Sequence, residues 1–484
     1  MEKIKHNDIK FIFKNIGAIE YAEVPLNDLT MIVGKNSTSK TYLTYIIWGF
    51  LDFVRNDVLY DRLYRKFDHL LIEDNKQLKK ILRLDDLLAE FRKVLSEAVK
   101  LYKDIAIPRV LAVTSDSPVI QKFDLGVYVE KISLSNTALL NANISIDDTK
   151  IDVKQIGNEF YVAIITNSEL DNNDRLDKLI KESIFESIFR YLFDQLFPQP
   201  FIITSERTGI SIFYKELDTR RSGLIEALAD VENQNIGKDI NTLIKNISRY
   251  PVPVSTNMDF IRNIFDKTKS KSEIGADLKK YILQFLTKGR YSFDKTSNQI
   301  FYTIGRGKTA VTLPIYIASS SVKSLLMLDT YINYIAQTGQ ILIIDEPELN
   351  LYPDNLRHMA RLLAMLVNNG VKLLFTTHSD YIIKELNNLI MLESLPEDAR
   401  NYAIKQIKKE TKAEYQSEMF LSKDKVTCII AKQDEKLGRV KTEIAPINEF
   451  GIDIDIIDRE INYIGETSDI LSELVNVNHR WIGE

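Results

Sequence analysis

The sequence holds a single cysteine, Cys428, which excludes an internal disulfide framework and a cysteine-built zinc site. Cys428 lies in the apolar run Val426-Thr427-Cys428-Ile429-Ile430 and reads as a buried strand residue. Histidine is nearly as scarce: His6, His69, His358, His378 and His479 are scattered without metal-ligand spacing. Proline (12) and glycine (18) are few for 484 residues, which argues against long flexible linkers. No charge sign dominates. The 63 basic and 68 acidic residues leave a net charge of −5, so no global basic surplus points to nucleic acid. Long hydrophobic runs are also missing: the most apolar stretch, Tyr42 to Val54, contains Thr44 and Asp52. It falls short of the ~20 apolar residues of a membrane-spanning helix, so no membrane partner is expected. Met1 to His6 lacks the apolar core of a signal peptide, and a cytoplasmic chain is expected.

What is present is ordinary globular material, 45% hydrophobic and 27% charged. The length suggests roughly three lobes, or one large domain with insertions. Phe11 to Phe13, Ile19 to Val24 and Leu29 to Val33 read as strands. Residues 42–106 carry helical spacing, with a second helix over Leu78 to Leu101. Short strands at 127–129, 143–146, 151–153 and 160–165 predict an antiparallel patch, followed by a helix over 175–196. Residues 201–215 read as strand, loop and strand around Ser205-Glu206-Arg207-Thr208-Gly209. Residues 221–290 are mostly helical, and 291–313 form a hairpin. From 319 to about 392 the pattern is helix, strand, helix, strand, helix. Strands near 425–431 and 440–446 and a closing helix near 466–477 complete the chain.

The strongest local motif is Gly34-Lys35-Asn36-Ser37-Thr38-Ser39-Lys40-Thr41, between a buried-strand pattern and a helix pattern. That is the context of a P-loop, whose backbone N–H groups and helix N-terminus cradle phosphates. Lys40 would reach the β- and γ-phosphates of ATP, and Thr41 would place its hydroxyl on Mg²⁺. Ser39 stands where the pattern has glycine, and a serine there is expected to strain the loop or weaken binding.

Gln340-Ile341-Leu342-Ile343-Ile344-Asp345-Glu346-Pro347 forms a Walker B pattern. Asp345 would hold Mg²⁺ and Glu346 would orient the attacking water. A later strand, Val371 to Thr377, ends in His378. Pro353 opens and Gly370 closes the helix between them, which places His378 near the γ-phosphate. Ser319-Ser320-Ser321 begins a further helix and makes an anion site there; taken alone it is also an ordinary serine N-cap.

These four motifs occur in the order found in ABC-type ATPases, and the chain resembles the SMC/RecF-like branch of that superfamily. The resemblance implies an α/β head, with a parallel core sheet, an antiparallel β-lobe and a helical insert. It also implies a head-to-tail homodimer or higher oligomer, in which Ser319, aligned with the signature serine, meets ATP held by the other subunit. Ser320 and Ser321 replace the usual glycines. Glu348-Leu349-Asn350-Leu351-Tyr352-Pro353-Asp354 resembles the D-loop at such an interface. Glu346 to Leu351, Thr377 to Tyr381 and Ser205 to Ile210 further resemble the ATPase parts of bacterial anti-phage systems: OLD nucleases, Septu, PARIS and retron-associated loci.

On this resemblance, residues 1–50 and 291–395 form the two halves of the head. Residues 51–106 are a helical segment, 107–215 the β-lobe with its helix, 216–290 the insert, and 396–484 a mixed subdomain. The expected function is ATP hydrolysis at a composite interface that gates a separately encoded toxin or nuclease. Asp453-Ile454-Asp455 lacks the upstream glutamate of a Toprim metal site, so no intrinsic nuclease is expected. Prolines at 108, 198, 200, 251 and 253 interrupt the heptads that an SMC-type arm would need. Glu206 and Arg207 read either as a surface ion pair or, since they follow an apolar strand, as charges facing the nucleotide or an interface. The basic clusters, such as Lys405 to Lys412, read as solvated helix faces, with nucleic-acid or effector contact as the alternative. Two other functions fit the same residues: a RecF-like DNA-repair ATPase, and a nucleotide-locked scaffold with little hydrolysis.

Overall fold

The computed structural model describes residues 9–67, 79–129, 140–146, 149–156, 159–166, 174–213, 250–297, 299–434 and 436–453. His6, His69, His479, Ile454-Asp455 and the expected closing helix lie outside these residues. The first strands are β1 (Ile9–Ile16), β2 (Ile19–Leu26), β3 (Leu29–Gly34), β4 (Lys79–Arg83) and β5 (Asp124–Val129). Then come β6 (Asn141–Ile146), β7 (Thr149–Ile156), β8 (Glu159–Thr166), β9 (Pro200–Ile203), β10 (Gly289–Asp294), β11 (Gln299–Ile304) and β12 (Val311–Pro314). The last long ones are β13 (Ile341–Asp345), β14 (Lys372–Thr377), β15 (Val426–Gln433) and β16 (Val440–Ile444).

Nine of them form one mixed sheet in the order β5-β1-β2-β16-β15-β3-β14-β13-β9. From β15 to β9 all neighbours run parallel. The middles of these strands are mostly apolar because a parallel sheet is covered on both faces. Leu29 to Val33 and Ile341 to Asp345 are buried at every position. Burying each large aliphatic side chain stabilises the fold by about 1.5–3 kcal/mol. The helix Lys40–Phe53 packs on β3, β9, β13 and β14, and is apolar nearly all round for that reason. The helix Pro353–Asn368 crosses from β13 to β14 in a parallel βαβ unit and packs on the helix Asp380–Ser394. The expected α/β class, with a parallel core and an antiparallel lobe, is the fold adopted.

Several local expectations need correction. The helix expected from Leu78 begins at Leu84, since Lys79–Arg83 is a strand paired with β8. β5 pairs antiparallel with β1 in the main sheet, whereas β4-β8-β7-β6 form the separate four-stranded lobe. The segment after β9 is helical over 207–213, where a second strand is expected. The hairpin at 291–313 gains a third strand, β12, on the β11 side. The helix Glu397–Thr411 buries no residue, so the Lys405 to Lys412 cluster does lie on a solvated helix. Among the described residues, no helix is long and apolar enough to cross a membrane.

Candidate functional site

β14 lies between β3 and β13, and its register sets Thr376 beside both Ile32 and Asp345. The carboxyl ends of these parallel strands therefore converge, and this is where open α/β sheets carry their ligands. Gly34 ends β3 against β15: a Cβ there would meet the Ala431 carbonyl oxygen at 2.8 Å. The loop then turns through Ser37 (φ 65°) and Ser39 (φ 62°), both left-handed. Thr38 closes the turn by donating its hydroxyl to the Lys35 carbonyl at 2.9 Å. Lys35 and Asn36 are exposed on the loop.

Lys40 is buried at the mouth of this loop. Its Nζ donates to the carbonyls of Gly34 (3.0 Å) and Lys35 (2.8 Å) and to Thr38 Oγ1 (3.2 Å). Burial lowers its pKa to about 8, against the opposing pull of the Glu346, Asp345 and Glu348 carboxylates. The N-cap residue of the helix Lys40–Phe53, Ser39, makes no side-chain cap bond to it, which leaves first-turn amides open to a ligand. A cation beside uncapped amides is an anion-binding arrangement.

Thr41 opens the same helix and donates its hydroxyl to Asp345 Oδ2 at 3.0 Å. Thr376 donates to the other oxygen, Oδ1. Burial raises the Asp345 pKa, and the two hydroxyl bonds act against the rise. Asp345 and Thr41 thus offer hard oxygens at one point, and among the described residues no cluster of His, Cys, Asp or Glu forms a complete metal cage. Such sparse ligation fits Mg²⁺, which keeps several waters and phosphate oxygens when bound.

Glu346 follows at φ 51°, a left-handed conformation that costs a non-glycine residue roughly 1–3 kcal/mol. Its amide donates to Thr376 Oγ1 at 3.1 Å. Its Oε1 lies 3.1 Å from His378 Nε2, and this hydrogen bond is the main reason that its pKa is lowered. His378 is held in turn through its backbone: its amide donates to Glu348 Oε1 at 2.6 Å, where Thr377 Oγ1 also donates at 2.9 Å. Burial raises the Glu348 pKa.

The structure thus brings together Gly34, Lys40, Thr41, Asp345, Glu346 and His378. It leaves Ser319, Ser320 and Ser321 apart. Ser319 caps the helix Ser320–Thr330, accepting the Val322 amide at 3.4 Å, and lies 3.0 Å from the Ser321 hydroxyl. Ser319 and Ser320 are exposed, beside the exposed Tyr316 and Ile317.

Two residues that the sequence leaves open, Glu206 and Arg207, and one that it misses, Thr376, complete the site. Arg207 is 3% exposed and is therefore no surface ion pair. Its guanidinium donates to the backbone carbonyls of Asp345 (2.8 Å) and Glu346 (2.6 Å). Burial lowers its pKa to about 10, so it stays charged at neutral pH. Glu206 accepts the Tyr45 hydroxyl at 3.2 Å, facing the helix Lys40–Phe53. Thr376 carried a visible signal only as a polar residue ending an apolar strand.

With this geometry in view, a family model described as AAA ATPase domain matches residues 9–383. No curated protein matches the chain. Among solved structures, it is similar to an Smc head domain with an extended coiled coil, bound to the C-terminal domain of ScpA, from Pyrococcus furiosus. That match has 11% identity and a TM-score of 0.34, covering 96% of this chain and 99% of that one. It is similar as well to the SMC head domain from Thermotoga maritima, at 11% identity and a TM-score of 0.30, covering 92% of this chain and 99% of that one.

Proposed function

The chain belongs to the AAA ATPase domain family, and from that premise we propose that it binds ATP with Mg²⁺ and hydrolyses it at the cluster around Lys40, Asp345 and Glu346. One observation carries the reading: Thr41 and Asp345, 304 positions apart, meet at 3.0 Å beside Lys40. A hydroxyl, a carboxylate and a buried ammonium at the end of a phosphate-type loop suit a Mg²⁺-nucleotide and little else.

In this reading the loop 34–41 wraps the phosphates, and Lys40 turns its ammonium from the loop carbonyls to the β- and γ-phosphate oxygens. Thr41 and Asp345 would hold Mg²⁺, whose charge would offset that of the phosphates. Glu346, kept ionised by its bond with His378, orients a water on the γ-phosphorus and takes its proton. The water oxygen bonds to the γ-phosphorus as the bond from that phosphorus to the β–γ bridging oxygen breaks, and ADP and inorganic phosphate leave. His378 holds Glu346 in line and senses the γ-phosphate.

We further infer that the site is completed by a second copy of the chain. Ser319 and Ser320 are exposed and Ser321 is half-buried, and among the described residues their side chains bond within their own helical turn. Tyr316 (56% exposed), Ile317 (59%) and Tyr352 (75%) supply apolar surface near the serines and in the D-loop segment. The cycle would gate a separately encoded effector, a nuclease or toxin, in antiviral defence. That last step rests on the motif resemblance alone.

The test is steady-state ATP hydrolysis against protein concentration, for wild type and Glu346→Gln. Turnover per subunit that rises with concentration, and is abolished in Glu346→Gln, is expected. Tight ATP binding without turnover in either protein would replace hydrolysis with a nucleotide-locked scaffold.

A further inference from the structure

We propose that Arg207 is a positioning residue for Glu346: its buried guanidinium grips the peptide carbonyls on either side of Glu346 and holds that residue in its left-handed conformation. The inference rests on the hydrolysis reading, because it concerns how the water-orienting carboxylate is aimed.

A carboxylate is aimed by its backbone first. The φ and ψ of Glu346 are set by two peptide planes, those of Asp345–Glu346 and Glu346–Pro347. Arg207 Nη1 donates to the Asp345 carbonyl at 2.8 Å and Nη2 to the Glu346 carbonyl at 2.6 Å. One planar fork therefore spans both planes. Glu346 sits at φ 51°, a conformation that a residue with a Cβ leaves when nothing holds it there. The Thr376 hydroxyl accepts the Glu346 amide at 3.1 Å and fixes the third point. With the backbone held so, Glu346 Oε1 meets His378 Nε2 at 3.1 Å.

Arg207 is anchored for this task. Nη1 also donates to the Thr204 carbonyl at 3.2 Å, and the Thr204 amide donates to Asn257 Oδ1 at 2.9 Å. Asn257 is buried and donates in turn to the Ile202 carbonyl at 2.7 Å. The next residue, Thr208, accepts Asn350 Nδ2 at 3.0 Å, which ties the same segment to the loop that follows Glu346. The buried Ser211 hydroxyl lies 2.7 Å from the Arg207 carbonyl and 3.2 Å from that of Lys323, on the helix that Ser319 caps. A lysine at 207 has a single nitrogen on a shorter side chain in place of two nitrogens fixed in one plane, so the fork that spans both peptide planes is lost.

The experiment measures kcat, the KM for ATP and thermal stability for wild type, Arg207→Lys, Thr208→Val and Glu346→Gln. Arg207→Lys is expected to lower kcat about 10- to 100-fold with KM within about 3-fold of wild type, as for a misaimed group outside the binding contacts. Thr208→Val keeps the side-chain shape and loses the Asn350 bond; kcat is expected to fall about 2- to 5-fold with the fold intact. Should Arg207→Lys not fold, Thr208→Val decides, and a wild-type kcat there overturns the proposal. Arg207→Lys with wild-type kcat overturns it too, as does parallel loss of ATP binding, stability and kcat, which marks a merely structural residue. Wild-type turnover that Glu346→Gln removes and Arg207→Lys leaves intact overturns this inference alone. No turnover in the wild type overturns the hydrolysis reading with it.

Discussion

The Ser39 hydroxyl accepts the backbone amide of Ala18 at 3.2 Å, which pins the phosphate-type loop to the turn between β1 and β2. Ser39 does this from φ 62°, in a conformation that glycine adopts freely. The serine thus trades backbone strain for a tether. Ser39→Gly releases the strain and loses the bond, so its stability should stay within about 1 kcal/mol of wild type. Ser39→Ala keeps the strain and loses the bond, and should be less stable by roughly 1 kcal/mol. Denaturant unfolding of both variants checks this, and an Ser39→Ala protein as stable as wild type would remove the tether from the account.

The burial of Lys40 gives ATP binding a specific pH dependence. Its pKa in the folded protein is about 8, below the ordinary 10.5. Above about pH 8 the ammonium is progressively lost before the nucleotide arrives. ATP affinity should then fall, approaching tenfold per pH unit at the limit. The stability change has the opposite sense. The unfolded chain binds this proton more tightly, so between about pH 8 and 10.5 the Lys40 contribution to stability rises with pH. Equilibrium binding and unfolding across pH 7–10, with Lys40→Met as the control, test both signs. A pH-independent Kd in the wild type would show that Lys40 does not carry the charge that binds phosphate.

His378 should act through the ionisation of Glu346. The wild-type carboxyl is held below its ordinary 4.5 mainly by the hydrogen bond from His378. In His378→Ala that bond is gone and the Glu346 pKa rises. Activity is lost as the carboxylate is protonated, so the acid limb of the kcat profile should move to higher pH. kcat at neutral pH should drop about 10- to 100-fold from loss of alignment. An unshifted acid limb in His378→Ala would separate the two residues functionally.

How much of this was legible beforehand follows from what each signal depends on. β3, β13 and β14 were plain because both faces of a parallel sheet are covered, which makes each strand an apolar run. Their ends in Gly34, Asp345 and Thr377 marked the site. Pro353 and Gly370 marked the crossover helix as clearly. β4 was illegible because Lys79 to Arg83 runs directly into helical spacing, and only the ladder to β8, far along the chain, makes it a strand. Arg207 was ambiguous for a related reason. A charged residue reads as surface until its partners are known, and here the partners are carbonyls brought by β13. Thr376 gained its place from register alone, directly opposite Asp345.

The exposed serines lead to the sharpest test of assembly. If Ser319 serves the phosphate site of a second copy, damage at Ser319 and damage at Lys40 lie in different sites of a symmetric dimer. Lys40→Ala and Ser319→Arg should each be inactive alone. In a hybrid of the two, one site pairs the intact Lys40 with the intact Ser319, and the other site carries both lesions. An equal mixture contains about half hybrids, each with one of two sites working, so turnover should return to about a quarter of wild type. Ser319→Arg alone should keep its ATP affinity, because Lys40, Thr41 and Asp345 are untouched in that chain. Exchange of subunits can be verified by two affinity tags. Hybrids that form and stay inactive would mean that Ser319 is no more than the N-cap it forms within its own chain.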